Sequence, residues 1–328
     1  MKIAILGSGS WATAIVKIAC ESHNEVFWWV REKEIEISVK KYGYNPLFLS
    51  SCELDSKKII ISTNIKDIIS KAKNLVFVIP AAFLVESLKT ISKEDLKGKN
   101  IISAIKGIIP QTNQIVAEFM NSEFGISLEH QAVISGPSHA EEIASQRLTY
   151  LTCGSTNETL AKHFATNFAC RYVKTMTSDD IKGIEYGGVL KNIYALAAGI
   201  CKGLGYGDNF IAVLVTHAII EMENFLNMTA ANNNRNINRS VYLGDLLVTA
   251  YSQYSRNRTF GQMLGQGYSI ASAQLEMNMV AEGYYASRSI QVINEKVKAK
   301  IPIADAIYRI LYKGTSPNME MKQLSESF

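Results

Sequence analysis

Cysteine is scarce and scattered: Cys20, Cys52, Cys153, Cys170 and Cys201 are odd in number and show no CxxC spacing. That argues against a zinc site and reads as idle thiols in a reducing cytosol. The five histidines form no HxxxH or HExxH pattern, so no protein-bound metal is expected. Charge of one sign is also lacking. The 34 basic residues stand against 30 acidic ones, a net charge of +4. That balance is too mild to imply nucleic acid, and no basic run carries interleaved aromatics. It suits a small anionic ligand. Long apolar runs are missing too. The longest in the second half, Phe210 to Val215, stops at Thr216-His217, and no membrane insertion is expected. Strand-like residues begin at Lys2 without a charged leader, so the start does not read as a signal peptide. A cytoplasmic location is expected.

What is present is ordinary globular composition. Hydrophobic residues make up 47% and charged residues 20% of the 328, which excludes a disordered chain and suggests two domains. The first half alternates short apolar runs with helical patterns. Lys2–Leu6, Glu25–Val30, Lys58–Ser62, Leu75–Ile79, Asn100–Ala104 and Gln131–Ile134 read as strands buried on both faces. Amphipathic stretches such as Trp11–Glu21 and Ala82–Thr90 separate them. This predicts an α/β unit with a parallel sheet. After about Ser178 helical patterns take over: Asp179–Lys202, Asn209–Met228, Leu243–Tyr254 and Glu282–Lys298. The expected division is a dinucleotide-binding domain over residues 1–178 and an all-α domain over 179–328. Ala231–Ser240 is rich in asparagine and reads as a loop, and the polar tail after Gly314 as frayed.

The first strand runs into "GSGSWATA", where Gly7, Gly9 and Ala12 fill the small positions of G-x-G-x-x-G/A. Gly7 permits the tight turn, Gly9 lets backbone approach a pyrophosphate, and Ala12 lets the helix sit close to the sheet. Amides at the helix start would face the phosphates. A plain strand–turn–helix joint is the alternative, but the strand before and helix after are the context the fingerprint requires. At the end of the second strand stand Arg31 and Glu32. Arg31 could grip a 2′-phosphate, and Glu32 could bind a ribose hydroxyl instead. The weight falls on NADP, or on use of both cofactors; solvated surface charge is the bland alternative.

Further stretches combine glycine with polar chemistry. Lys106, in "SAIKGI", lies just past a strand end, where open α/β sheets bind ligands. "SGPSHA", Ser135 to Ala140, offers amides and hydroxyls at another strand end, or is a simple loop. In "YGGVLKNIYALAAG", Lys191 shares a helix face with Gly187, Gly188, Ala195 and Ala198. Two glycines inside a helix cost about 1 kcal/mol each. Either tight helix packing or a face left open for a ligand offsets that. A lysine in such a desolvated setting can serve as a general base. Asp245, in "LGDLL", either caps a helix or orients Lys191. "SRNRTFG", Ser255 to Gly261, joins an arginine fork to an amide and a hydroxyl, which suits a phosphate; a solvated basic loop is the alternative.

Together these motifs, with "MLGQG" and Val280-Ala281-Glu282-Gly283, resemble the bacterial NAD(P)-dependent glycerol-3-phosphate dehydrogenase family, from Met1 to about Gly314. The resemblance implies a Rossmann domain followed by a helical domain. It implies interconversion of sn-glycerol 3-phosphate and dihydroxyacetone phosphate, with NAD or NADP as cofactor and supply of phospholipid synthesis. It places the proton-transferring lysine on Lys191 and a second active-site lysine on Lys106. Substrate contacts fall on Gly136, Ser138, Asp245, Ser255, Arg256 and Asn257. Cofactor contacts fall on Ser10, Trp11, Arg31, Lys106, Ala140, Arg256, Val280 and Glu282, beside the glycine loop. The expected partner is a triose phosphate; the helical half is also compatible with a homodimer. Phe48 replaces a tyrosine usual in the family, which puts one cofactor-side contact in question. A β-hydroxyacid dehydrogenase would share the two halves and a catalytic lysine but would not require "SRNRTFG". A non-catalytic nicotinamide sensor could lose Lys191 and Asp245, and both are here.

Overall fold

The computed structural model describes residues 2–277 and 281–328. The chain forms two compact units, one of Met1–Ile105 with Val116–Ile181, the other of Lys106–Ile115 with Lys182–Phe328.

The first unit is built on eight strands: β1 (Ile3–Leu6), β2 (Val26–Trp29), β3 (Ile59–Ser62), β4 (Asn74–Phe77), β5 (Asn100–Ser103), β6 (Gln131–Ser135), β7 (Thr149–Gly154) and β8 (Val173–Ser178). Their order is β3-β2-β1-β4-β5-β6-β7-β8. Neighbours run parallel except β6 and β7, which are antiparallel. The parallel expectation therefore fails at that one pairing. β7 and β8 were not expected at all, because "TYLTCG" and "VKTMTS" are too polar to stand out. Burial on both faces also fails at β3: as the edge strand it leaves Ile60 37% exposed. Elsewhere the apolar runs do lie inside, with Ile3, Ile5, Trp28 and Val76 buried against the Ser10–Ser22 helix.

Chain direction around the sheet reverses between β1 and β4, the switch point where open α/β sheets take ligands. Gly7 sits there. Its φ of +141° is one that L side chains rarely adopt, and an added Cβ would collide with the Val78 carbonyl just after β4. The turn is pinned from both sides: Gly7 N–H donates to Trp29 O at 3.1 Å, and Trp28 Nε1 donates to Gly7 O at 2.7 Å.

The second unit is helical, as expected. Its long elements are Ile181–Gly203 and Asp208–Thr229. Asp208–Thr229 runs unbroken through Thr216 and His217, and its 22 residues are by length and composition alone apolar enough to cross a membrane. The helical pattern expected over Asn209–Met228 agrees with this span; only the apolar run Phe210–Val215 ends at Thr216. In this unit the helix buries Leu214, Ala218, Met222 and Phe225, and also a carboxylate, Glu221. Glu221 accepts the Ile303 and Ala304 amides at 2.8 and 3.0 Å, at the start of the Pro302–Tyr308 helix. The tail after Gly314 is not frayed: Pro317–Ser327 is a helix that buries Met321 and Leu324. Arg309 ties it down through both oxygens of Glu320, at 2.8 and 2.6 Å.

Two helices of this unit cross at glycines. Gly199 and Gly203 on one meet the backbone of Arg256–Gly265, and Gly261 and Gly265 on the other meet the backbone of Ile181–Gly203. No Cβ fits at the crossing. Gly261→Ala is expected to cost about 1–3 kcal/mol by overpacking. Urea unfolding monitored by circular dichroism reads this; an unchanged midpoint would show that the helices are not so close.

Candidate active site

Lys191 lies on the inner side of the Ile181–Gly203 helix and is 5% exposed. Its Nζ donates to Asp245 Oδ1 at 2.5 Å and to Thr249 Oγ1 at 3.1 Å. Asp245 is the first residue of the Asp245–Tyr251 helix, and its carboxylate faces the two lysines. Lys106 Nζ donates to the other oxygen, Oδ2, at 3.0 Å. One carboxylate, 1% exposed, thus holds two ammonium groups. Thr249, four residues on, turns its hydroxyl to the Asp245 carbonyl at 2.5 Å and offers its lone pair to Lys191. That i+4 relation on one helix face was readable from sequence but was not drawn.

Burial pushes the Lys191 pKa down, Asp245 pulls it back up, and Lys106 lowers it again; it comes to about 7. Burial would raise the Asp245 pKa, but the two lysines overcome this and hold it below the ordinary carboxylate range. Asp245 is thus an anion at neutral pH, while Lys191 stands near half-protonation. A group so poised gives or takes a proton with little cost.

Of the two uses the sequence left open for the glycines beside Lys191, the contacts at Gly187 and Gly188 are those of packing. Gly187 lets the Tyr242 ring approach, with 3.1 Å to an added Cβ. Gly188 faces Lys106, whose Cα and Cβ lie 3.7 Å from where its Cβ would stand. The glycines make room for packing, and what packs at Gly188 is the second lysine.

A chain of amides continues from there. Asn192 Nδ2 donates to the Lys106 carbonyl at 2.6 Å, and Asn257 Nδ2 donates to Asn192 Oδ1 at 2.9 Å. The Gly283 amide donates to Asn257 Oδ1 at 2.9 Å. Asn192, which the sequence offered only as the neighbour of Lys191, therefore fixes the backbone of Lys106. Asn257 spends its carbonyl oxygen and one N–H in this chain, and its second N–H bonds to none of the described residues. Ser255 is buried and its hydroxyl accepts from the Arg258 amide at 3.3 Å, capping the Arg256–Gly265 helix. Arg256 is the exposed first residue of that helix, and Glu282 the first of Glu282–Val297. Val280 lies outside the described residues.

The remaining expected residues belong to the first unit. Gly136 has φ +130°, and an added Cβ would lie 2.7 Å from Tyr150 O; Ser138 Oγ donates to the Gly136 carbonyl at 2.8 Å. Ala140 is buried and begins the short helix Ala140–Ala144. In the glycine loop, an added Cβ at Gly9 meets nothing within 4 Å, so this backbone is open to approach. The helix beyond it starts at Ser10 with neither a side-chain cap nor an acid in its first turn, and Ala12 is fully buried beneath. This fits a dinucleotide pyrophosphate. The Ser10 hydroxyl donates to the Phe48 carbonyl at 2.6 Å, and Trp11 Nε1 to the Ala104 carbonyl at 3.0 Å. Both side chains brace the loop. Phe48 contributes its backbone, so this link needs no tyrosine hydroxyl. Asn45, fully buried, adds bonds to Ser8 O and Thr13 Oγ1, each 2.8 Å. Arg31 reaches Glu32, with 2.7 Å between Nη2 and Oε1.

The chain resembles known proteins along nearly its whole length. The description "NAD-dependent glycerol-3-phosphate dehydrogenase N-terminus" matches residues 2–161, and the corresponding C-terminus description matches residues 180–322. A glycerol-3-phosphate dehydrogenase [NAD(P)+] of Staphylococcus carnosus is 33% identical over 326 residues, 98% of this chain and 97% of that protein. One from Oceanobacillus iheyensis is 34% identical, covering 98% of this chain and 93% of its own. The crystal structure of a glycerol-3-phosphate dehydrogenase from Coxiella burnetii superposes with a TM-score of 0.92 at 27% identity, covering 99% and 98% of the two chains.

Asp245→Asn removes the anion that raises the Lys191 pKa, so the Lys191 midpoint should fall below about 7. A ¹⁵N-lysine NMR titration of the variant measures it. A midpoint unmoved by the substitution would deny the pairing.

Proposed function

The chain belongs to the NAD-dependent glycerol-3-phosphate dehydrogenase family, and from that premise we propose that it interconverts sn-glycerol 3-phosphate and dihydroxyacetone phosphate. The observation that carries this reading is a buried lysine, Lys191, held with a second lysine, Lys106, on the single carboxylate of Asp245.

Gly7, Gly9 and Ala12 would hold the dinucleotide at the switch point of the sheet. When bound, its nicotinamide supplies or accepts the hydride. The protein manages the proton and the charge. In reduction, protonated Lys191 gives its proton to the oxygen of the substrate carbonyl as negative charge develops there. Lys106 stabilises the same oxygen as a fixed cation. In oxidation, neutral Lys191 takes the proton back. Asp245 keeps both ammonium groups in place and stays ionised throughout. Thr249 and Asn192 are positioning residues, the first aiming Lys191 and the second anchoring Lys106. Arg256 and the remaining N–H of Asn257 are assigned to the substrate phosphate, since a guanidinium suits that anion. Glycerol 3-phosphate made this way supplies phospholipid synthesis. The unpaired cysteines, four of them buried, support a reducing cytoplasm.

The test is phosphate-substrate-dependent oxidation of NADH and NADPH by the purified protein. Lys191→Ala is expected to reduce turnover by roughly 10²–10⁴-fold with cofactor binding retained; full turnover in a folded variant would remove Lys191 from the chemistry. Arg256→Ala should raise KM for dihydroxyacetone phosphate by about ten-fold or more, ~1.4 kcal/mol. An unchanged KM would move the phosphate site elsewhere.

The pH dependence has a definite sign. Reduction uses the protonated lysine, so its kcat/KM should decline as pH rises through about 7. Oxidation uses the neutral lysine and should rise over the same range. Parallel slopes in the two directions would rule out one group serving as both acid and base.

A further inference from the structure

The two segments that meet at the Lys191–Asp245 ion pair touch a second time, one turn away. Lys191 stands four residues after Gly187 on the Ile181–Gly203 helix, so the two share a face. Asp245 stands three residues after Tyr242. The ring of Tyr242 lies on Gly187. Its Cδ1 is 3.1 Å and its Cε1 3.5 Å from where a Cβ would stand, and Met222 Sδ is 3.6 Å from the same point. Tyr242 and Met222 are both buried.

The backbone between Tyr242 and Asp245 ties these two contacts together. Ser240–Gly244 is a single turn of π-helix, and the Asp245 amide donates to the Ser240 carbonyl five residues back and to the Tyr242 carbonyl three back. Such wide turns recur at functional sites. Upstream, the Tyr242 and Leu243 amides both donate to the Arg239 carbonyl, at 3.0 and 3.1 Å. The asparagine-rich loop before them is held by its own turns: the side chains of Asn232 and Asn236 accept the amides two residues on, at 2.8 and 3.0 Å. These local bonds hold the shape of the segment, and the Tyr242 ring sets it against the Lys191 helix. A glycine inside a helix destabilises it relative to alanine, and the space that the ring occupies accounts for Gly187.

We propose that Tyr242 is a positioning residue for proton transfer: its ring, seated on the bare backbone of Gly187, sets how closely Asp245 approaches Lys191. The proposal rests on the reading of Lys191 as the proton donor, and Tyr242 acts through Asp245. The Lys191–Asp245 contact is 2.5 Å, and the attraction between charges weakens as they separate. The spacing is sensitive in one direction. A methyl group at position 187 would stand 3.1 Å from Tyr242 Cδ1, inside the usual carbon–carbon separation of about 3.5–4.0 Å. The ring would have to back away, and Asp245 with it. Asp245 favours the charged form of Lys191, while burial and Lys106 favour the neutral amine. Drawing Asp245 back therefore tips the balance toward the neutral amine, which has no proton to give in reduction.

The test is Gly187→Ala in the full chain. A ¹⁵N-lysine NMR titration without substrate reads the Lys191 midpoint, its signal identified as the one that Lys191→Ala lacks. The midpoint should fall below the wild-type value of about 7. Reduction of dihydroxyacetone phosphate at neutral pH should slow by about three- to ten-fold. Adding Tyr242→Leu to Gly187→Ala makes room for the methyl group and should return the midpoint toward the wild-type value. Tyr242→Leu alone removes the ring from the same contact and should also move the midpoint. Tyr242→Phe keeps the ring and should keep the wild-type pH profile. Circular dichroism establishes that each variant is folded. A wild-type midpoint in Gly187→Ala or in Tyr242→Leu overturns the proposal, as does a shift in Gly187→Ala that Tyr242→Leu fails to relieve. Because the midpoint is read without turnover, failure to act on dihydroxyacetone phosphate would count against the proposed function and leave this result standing.

Discussion

One carboxylate, Asp245, organises the chemistry of the second unit. Removing Lys191 from water acts against its charge, and a fall from 10.5 to about 7 corresponds to roughly 5 kcal/mol against the ammonium form. Desolvation therefore exceeds what Asp245 returns by attraction. Burial and Lys106 act on the same side and favour the neutral amine, and Asp245 opposes them. The balance of these opposed influences leaves Lys191 able to release its proton while it stays bonded to a carboxylate.

Holding two long lysine side chains on a single carboxylate demands a fixed frame. The amide chain from Gly283 through Asn257 and Asn192 to the Lys106 carbonyl supplies it for the second lysine. The frame in turn depends on close backbone approach. An added Cβ at Gly283 would lie 2.6 Å from Asn192 O, and the crossing at Gly199 and Gly261 brings the helix carrying Asn257 against the helix carrying Asn192. Glycine here is a packing residue. It brings Asn192 and Asn257 within 2.9 Å of each other, a distance that ordinary side chains at the crossing would prevent.

What the sequence made legible follows from the range of the interactions. Six strands and the glycine loop could be read because apolar runs and turn residues are local signals. β7 and β8 could not, since their residues are polar and only their neighbours in the sheet make them strands. The Pro317–Ser327 helix was taken for a frayed tail because its anchor is an ion pair to Arg309 and a few buried side chains in a polar stretch. Within the site, Lys106, Lys191 and Asp245 were all singled out, each on its own local context. Asp245 beside Lys191 was one of two readings offered; that Lys106 shares the same carboxylate was not, because residues 106 and 245 meet only in the folded unit. The same limit hid the reason for Gly188: the neighbour that needs its space is Lys106, far away in sequence.

Two carboxylates, Glu32 and Asp245, show how burial decides what an ion pair can do. Asp245 is 1% exposed and both of its oxygens are taken by lysines, so it acts as a permanent counter-ion and exchanges no partner. Glu32 is less buried, one of its oxygens is committed and the other takes no bond from the described residues, and its cation stands in solvent. An exposed pair of this kind contributes little to stability, so Arg31 is not retained there for the strength of its bond. Its effect is on charge: the guanidinium faces one oxygen of Glu32 from the solvent side. The same kind of group thus holds two lysines in one unit and pairs with a solvated arginine in the other.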